Sequence, residues 1–216
     1  MLQAILWDND GVLVDTEQLF YEANRELFLP MGLELSEQHF FDWYLADNCG
    51  AWHLLDPVPS MAEMDAWRSE RNRRYALRLA SEHIPAVDGV AEVLASLAPR
   101  LRMGVVTSSN HDHFHIIHGR LDLLRHFDFV LTHESYNHSK PSPEPYLLGL
   151  ERLGVAPEDC VVVEDSPRGL QAATAAGMRC LVLRNRLTRD CDFAGAYRVV
   201  DTMPQLLAEI EALLAA

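Results

Sequence analysis

The chain has 216 residues, 49% of them hydrophobic, enough to bury a full core in one domain with an insertion or in two small ones. A formal net charge of −14 with no long basic run gives counterion release little to work with, which argues against nucleic acid as a partner. No apolar stretch approaches the ~20 residues of a membrane helix, and an acid at position 8 falls where a secretory signal would still be apolar, so a cytoplasmic protein is expected.

In chain order, the first element is the apolar run 3–7 (QAILW), a predicted strand, followed at once by Asp8 and Asp10 in WDNDGVLVDTE. From about 16 to 87 no strand is visible; helices are predicted over roughly 17–29, 36–46 and 61–80, and Ser60-Met61-Ala62-Glu63 has the spacing of a capping box. A structureless loop of that length does not belong in a compact chain, so 16–87 is read as a small helical domain inserted after the first strand. Strand-like runs then recur at 101–107 (LRMGVVT), 128–132 (DFVLT), 160–163 (CVVV), 180–184 (RCLVL) and 197–200 (YRVV), with helical segments between most of them. Ser166-Pro167 before GLQAATAAG, closed by Gly177, supplies a cap, a first-turn proline and a terminal glycine. This alternation implies an α/β fold, a doubly wound parallel sheet with helices on both faces, built from 1–15 and 88–216. Cys49, Cys160, Cys180 and Cys191 form no CxxC pair, and free thiols are expected.

Ligands of doubly wound sheets bind beyond the carboxyl ends of the strands, where residues distant in sequence converge. Four such places carry chemistry. Asp8 and Asp10 follow the first run, Thr107-Ser108-Ser109-Asn110 the second, Lys140 lies in SKPSPEP after the third, and Glu164-Asp165 follow the fourth. Several acids in one crevice repel one another unless a cation sits among them, and hard oxygen donors with room for water and phosphate favour magnesium. Each piece alone has a structural alternative: a turn for the aspartate pair, a helix cap for Thr107-Ser108-Ser109 or Glu164-Asp165-Ser166. Lys140 differs in kind, because the other 17 of the 18 basic residues are arginine. A compact ammonium is hard to replace with a planar guanidinium where space is tight. His111, His115 and His118 share a helical face whose spacing could bind a transition metal, though a plain helix face after Thr107 is the simpler reading. Arg68, Arg71, Arg73, Arg74 and Arg78, with Glu70 and Glu82 among them, read as a solvated helix face.

The segments DNDGVLVDTE (8–17), VVTSS (105–109), SKPSPEPY (139–146) and VVVEDSPRGLQAATAAGM (161–178) together resemble the haloacid dehalogenase superfamily of phosphohydrolases, in the subgroup of beta-phosphoglucomutase and phosphoglycolate phosphatase. The resemblance implies a Rossmann-like core with 16–87 as a helical cap that closes over the site. It implies Asp8 as the nucleophile that forms an aspartyl-phosphate, Asp10 as general acid and base, Thr107 as a donor to a phosphoryl oxygen, and Lys140 as the neutralising cation. Magnesium would be held by the Asp8 carboxylate, the Asp10 backbone carbonyl and Asp165, with Glu164 near or indirect. Ser108, Ser109 and Asn110 in the core, and Asn48, Trp52 and His53 in the cap, are the candidates to face the substrate.

The expected activity is magnesium-dependent hydrolysis of a small phosphorylated metabolite. Three positions depart from the family pattern: Asn9 stands where an apolar residue is usual, Ser139 replaces a common glycine, and Phe20 takes the place of the mutase's histidine. Between Arg25 and Arg68 there is no Lys or Arg, so the cap looks poorly equipped for a second phosphate, and a phosphatase is expected rather than a phosphosugar mutase. A phospho-accepting signalling domain would be shorter, without DxDG at its first strand and without the helical insertion. A dehalogenase proper would need neither the acid at 10 nor the pair at 164 and 165.

Overall fold

The computed structural model describes residues 1–46 and 49–216, with Leu45 and Ala46 described for their backbone alone. Packing divides the chain into two units, Met1–Asp15 with Pro85–Ala216, and Thr16–Ile84. The return to the first unit falls at 84/85, ahead of the 87/88 read from the sequence. The cause is backbone pairing: the Asp15 amide donates to Pro85 O, the Val87 amide to Leu13 O, and Val14 bridges Ala86, which ties 85–87 to the end of the opening segment.

The Thr16–Ile84 unit is helical: α1 (Glu17–Phe28), α2 (Glu37–Phe40), which runs into a wider π turn over Phe41–Ala46, and α3 (Met61–Ser81). The capping box of α3 is formed, with Ser60 Oγ accepting from the Glu63 amide at 3.4 Å and the Glu63 carboxylate accepting from the Ser60 amide at 2.9 Å. Aromatic rings fill the interior of this unit. Phe20 meets Phe40, Tyr44 and Tyr75 edge-on, and Trp52 packs between Phe28 and Trp67 at centroid distances of 5.0 and 6.0 Å.

The other unit holds the strands β1 (Ala4–Trp7), β2 (Arg102–Val106), β3 (Phe129–Leu131), β4 (Cys160–Glu164), β5 (Arg179–Leu183) and β6 (Arg198–Val200). They form a parallel sheet in the order β3-β2-β1-β4-β5-β6. β1 and β4 are buried along their whole lengths; they read as unbroken apolar runs because helices cover both faces of the sheet. Those helices are α4 (Val90–Leu97), α5 (His111–His118), α6 (Glu144–Leu153), α7 (Pro167–Ala175) and α8 (Met203–Ala215). Leu6, Val106, Tyr146, Leu150, Val162, Leu170 and Val182 meet in one core cluster. No disulfide forms among the described residues, and Cys160 and Cys180 are buried in strands.

The strand order reverses at β1, and the crevice of a doubly wound sheet opens at such a reversal. Trp7 is level with Val105 on β2 and Val163 on β4. The next residues, Asp8, Val106 and Glu164, therefore form a row across the mouth of the sheet.

The histidines of α5 do not act as one face. His111 and His115 are close at the surface, Nε2 to Nε2 2.9 Å. His118 is buried, tilted against Phe114 at 4.3 Å, with Nε2 2.7 Å from Asn9 Oδ1. Burial pushes its pKa down from 6.5 to about 4. A histidine that stays neutral in the fold while the unfolded chain takes up a proton contributes stability in full above pH 6.5, and this is lost as pH falls toward 4. The wild type is expected to lose about 3 kcal/mol over that window from this group. His118→Gln should lack that component when urea unfolding is followed across the range. Identical pH slopes for the two proteins would contradict the burial of a neutral imidazole.

Candidate active site

Asp8 leaves β1 with its amide bonded to Val163 O at 2.9 Å. The chain then turns sharply, the Asn9 carbonyl accepting from the amides of Val12, Leu13 and Val14. Gly11 is required in this turn: its φ is +78°, and a Cβ there would lie 2.1 Å from Asp165 Oδ2. The turn keeps Asp8 and Asp10 at one end of the sheet.

Lys140 reaches the same place from the loop after β3, which Glu144 secures by accepting the amides of Asn137 and His138. Its ammonium is 3% exposed and donates to Asp8 Oδ1 at 2.7 Å, Glu164 Oε1 at 2.7 Å and Val106 O at 3.0 Å. Burial works against the charge, but Asp8 and Glu164 together hold Lys140 above its ordinary pKa. Burial likewise dominates at Asp8 and pushes it up to about 7; Lys140 pulls against that rise, while Glu164 and Asp10 add to it. Glu164 goes the other way. It too is fully buried, yet Lys140 and the hydrogen bonds it receives keep its carboxyl below the usual range.

Both oxygens of Glu164 are engaged. Oε1 accepts from Lys140 and, at 2.6 Å, from Tyr146 Oη; Oε2 accepts from the Asp165 amide and from Ser166 Oγ. The first turn of α7 lies so close that a Cβ on Gly169 would sit 1.8 Å from Glu164 Cδ. Ser166 Oγ also accepts from the Gly169 amide, which caps α7 as its sequence suggests. Asp165 is oriented by Asn185, whose Nδ2 donates to Asp165 Oδ2 at 2.7 Å while its Oδ1 accepts the amides of Leu187 and Thr188.

Asp8, Glu164 and Asp165 each offer an oxygen within 4.8 Å of the others, all buried. With all three ionised, three carboxylates face the one ammonium of Lys140, a deficit of two positive charges. An all-oxygen donor set with that deficit fits a hard dication. Glu164, with both oxygens committed, is suited to stand behind such an ion rather than to bind it.

Asp10 is held through Oδ2, which accepts from Ser109 Oγ at 2.7 Å, Asn9 Nδ2 at 3.2 Å and Thr107 Oγ1 at 3.3 Å. Thr107 Oγ1 also accepts from the Ser109 amide. Neither residue caps α5: its N-cap is Asn110, which makes no side-chain cap bond. Ser108 and Asn110 are half-buried in the same loop.

The helical unit differs from its sequence reading. Asn48 lies outside the described residues. Trp52 is buried in the interior of the unit, stacked on Trp67, so its ring serves packing and not a ligand; His53 is exposed beside Trp43. The arginines of α3 are not a uniform solvated face. Arg73 and Arg74 pair with Glu70, and Arg78 with Glu22, Glu26 and Glu82. Arg71 is half-buried with its guanidinium 5.0 Å from the centre of the Phe20 ring, and it forms no ion pair among the described residues. Among the described residues, the helical unit therefore carries one arginine on α3 without an acidic partner. Its phase gives the signal: Arg71, Tyr75 and Leu79 stand at i, i+4, i+8, and the latter two are buried. Sequence reasoning also missed Tyr146 and Asn185. Asn185 follows β5, whose carboxyl end opens on the same crevice, and that position was its available signal.

A family model described as haloacid dehalogenase-like hydrolase matches residues 5–183. The phosphorylated carbohydrates phosphatase of Thermotoga maritima is 33% identical, covering 82% of this chain and 82% of its own. The crystal structure of CbbY from Rhodobacter sphaeroides in complex with phosphate matches with a TM-score of 0.82 at 28% identity, covering 95% of this chain and 96% of that one. A CbbY variant from the same organism in complex with xylulose-1,5-bisphosphate matches with a TM-score of 0.78 at 27% identity, covering 94% and 95%.

Proposed function

The chain belongs to the haloacid dehalogenase-like hydrolases and is a phosphomonoester hydrolase, and from that premise we propose that it dephosphorylates a small phosphorylated carbohydrate through a phosphoryl group carried transiently on Asp8. The observation that carries this reading is the buried contact of Asp8 with Lys140, 2.7 Å at the mouth of the sheet. Burial raises the Asp8 carboxyl to about 7, and an ammonium fixed on three acceptors acts against that rise in favour of the ionised, nucleophilic form.

In the first half-reaction an Asp8 oxygen attacks phosphorus, the bond to the sugar oxygen breaks, and Asp10 gives its proton to the departing alcohol. In the second, Asp10 takes a proton from water, the water oxygen attacks the same phosphorus, and inorganic phosphate leaves with Asp8 restored. Lys140 offsets charge gathered on the transferred group, and Thr107 donates to one of its oxygens. The carboxylates of Asp8 and Asp165 and the backbone carbonyl of Asp10 would hold Mg2+, with Glu164 behind them. When bound, the ion offsets the repulsion between an anionic nucleophile and an anionic ester. Ser108 and Asn110 are the proposed contacts for the sugar, with the helical unit 16–84 taking the part of the cap.

The substrate class is that named for the Thermotoga relative. A bisphosphorylated sugar, such as the one bound to the CbbY variant, falls within the proposed class. A mutase is the second reading. Phe20 weighs against it: its ring is committed to the aromatic cluster and to Arg71, and it offers no proton-bearing group where the mutase has a histidine.

Asp8→Asn is expected to lower turnover of sugar phosphates by roughly four orders of magnitude or more with the fold intact. Asp10→Asn should cost ~10²–10⁴-fold. Chelation should stop the wild type, and added Mg2+ restore it. A phosphate-release assay over a panel of sugar phosphates reads all three, and near-wild-type rates in Asp8→Asn would end the proposal. With glucose 1-phosphate and catalytic bisphosphate, free phosphate should appear in step with substrate loss; accumulation of an isomerised sugar phosphate instead would establish the mutase.

A further inference from the structure

Asn9, between the two aspartates, is completely buried. An apolar side chain there would need no partners, whereas a buried amide must find them. It finds two: Nδ2 donates to Asp10 Oδ2 at 3.2 Å, and Oδ1 lies 2.7 Å from His118 Nε2. The orientation is determined by chemistry. The side facing a carboxylate must be the amide nitrogen, so the oxygen faces the imidazole, and His118 Nε2 is the donor to it. His118 Nδ1, also buried, has no hydrogen-bond partner among the described residues. The imidazole is thus buried at a cost, with a single polar bond, and that bond goes to Asn9. Packing against Phe114 alone would be met as well by leucine or phenylalanine.

We propose that His118 and Asn9 are positioning residues for Asp10: the imidazole fixes the amide, and the amide fixes the plane of the Asp10 carboxyl for its proton transfers. The inference rests on the acid and base role given to Asp10 above. Neither His118 nor Asn9 makes or breaks a bond with substrate. Two donors on Asp10 Oδ2 are hydroxyls on the loop after β2, which can rotate, whereas the Asn9 amide cannot turn without losing His118. With the amide gone, the carboxyl can rotate away from the line of proton transfer, and small misplacements of a reacting group are costly in rate.

The experiment compares Asn9→Leu, His118→Leu and His118→Gln with wild type and Asp10→Asn, using fructose 1-phosphate and p-nitrophenyl phosphate with Mg2+. Glutamine can still donate an N–H to Asn9; leucine cannot. On fructose 1-phosphate, kcat should fall about tenfold or more in Asn9→Leu and His118→Leu, with KM little changed, and His118→Gln should recover most of the loss. Nitrophenolate departs without needing a proton, so its pre-steady-state burst should keep the wild-type rate while steady-state turnover slows. Adding Asn9→Leu to Asp10→Asn should cost little more, because both act through one carboxyl. Full additivity of the two changes, an equal slowing of burst and steady state, or no advantage of His118→Gln over His118→Leu would overturn the inference and assign the pair to packing. If Asp10→Asn itself keeps the wild-type kcat, the acid and base role fails instead, and the positioning inference falls with it.

Discussion

A single ammonium buried at the carboxyl end of a parallel sheet sets the terms for everything around it. Lys140 bonds the end of β1 through Asp8, the end of β2 through the Val106 carbonyl, and the end of β4 through Glu164. Taking such a charge out of water is costly unless every proton is met, and removing one partner of a buried pair typically costs about 3–5 kcal/mol. A well-packed apolar group would stabilise the fold as well or better. The same burial that excludes water raises the Asp8 carboxyl to about 7, and the adjacent ammonium acts against that rise, as the proposed chemistry at Asp8 requires.

Around the proposed reacting groups stand residues that hold them. Glu164 uses both oxygens on Lys140, Tyr146 and the start of α7, so it transmits the position of that helix to the ammonium. Asn185 and the Thr188 turn orient Asp165, and Asn9 with His118 orients Asp10. Each acidic side chain of the crevice thus has an uncharged or cationic partner that fixes it, which is what preorganisation requires when charge is to develop there. The close approaches at Gly11 and Gly169 keep the acids packed closely, with oxygens of Asp8, Glu164 and Asp165 within 4.8 Å of one another.

The strands were legible to within a residue or so, because strands of a covered parallel sheet read as unbroken apolar runs. The capping box at Ser60 and the start of α7 at Ser166-Pro167 were legible because cap chemistry is local. Asp8, Asp10, Thr107, Lys140, Glu164 and Asp165 stood out because each follows a strand. What stayed hidden depends on pairings across long sequence separations. Nothing local says that His118 turns inward to meet Asn9, 109 residues away. Trp52 was misread because an aromatic in a loop looks like a ligand platform until its partner Trp67 is known. Arg71 was grouped with its neighbours by composition, although its helical phase separates it from them.

Whether Asp8 carries the phosphoryl group is decided by covalent trapping. Enzyme mixed with Mg2+ and a turned-over sugar phosphate is quenched in acid, digested, and examined by mass spectrometry. One added phosphoryl group is expected on the peptide that contains Asp8, labile to hydroxylamine and absent from Asp8→Asn. A phosphoryl group on any other side chain, or none at a time when turnover is under way in a variant slowed at Asp10, would contradict it.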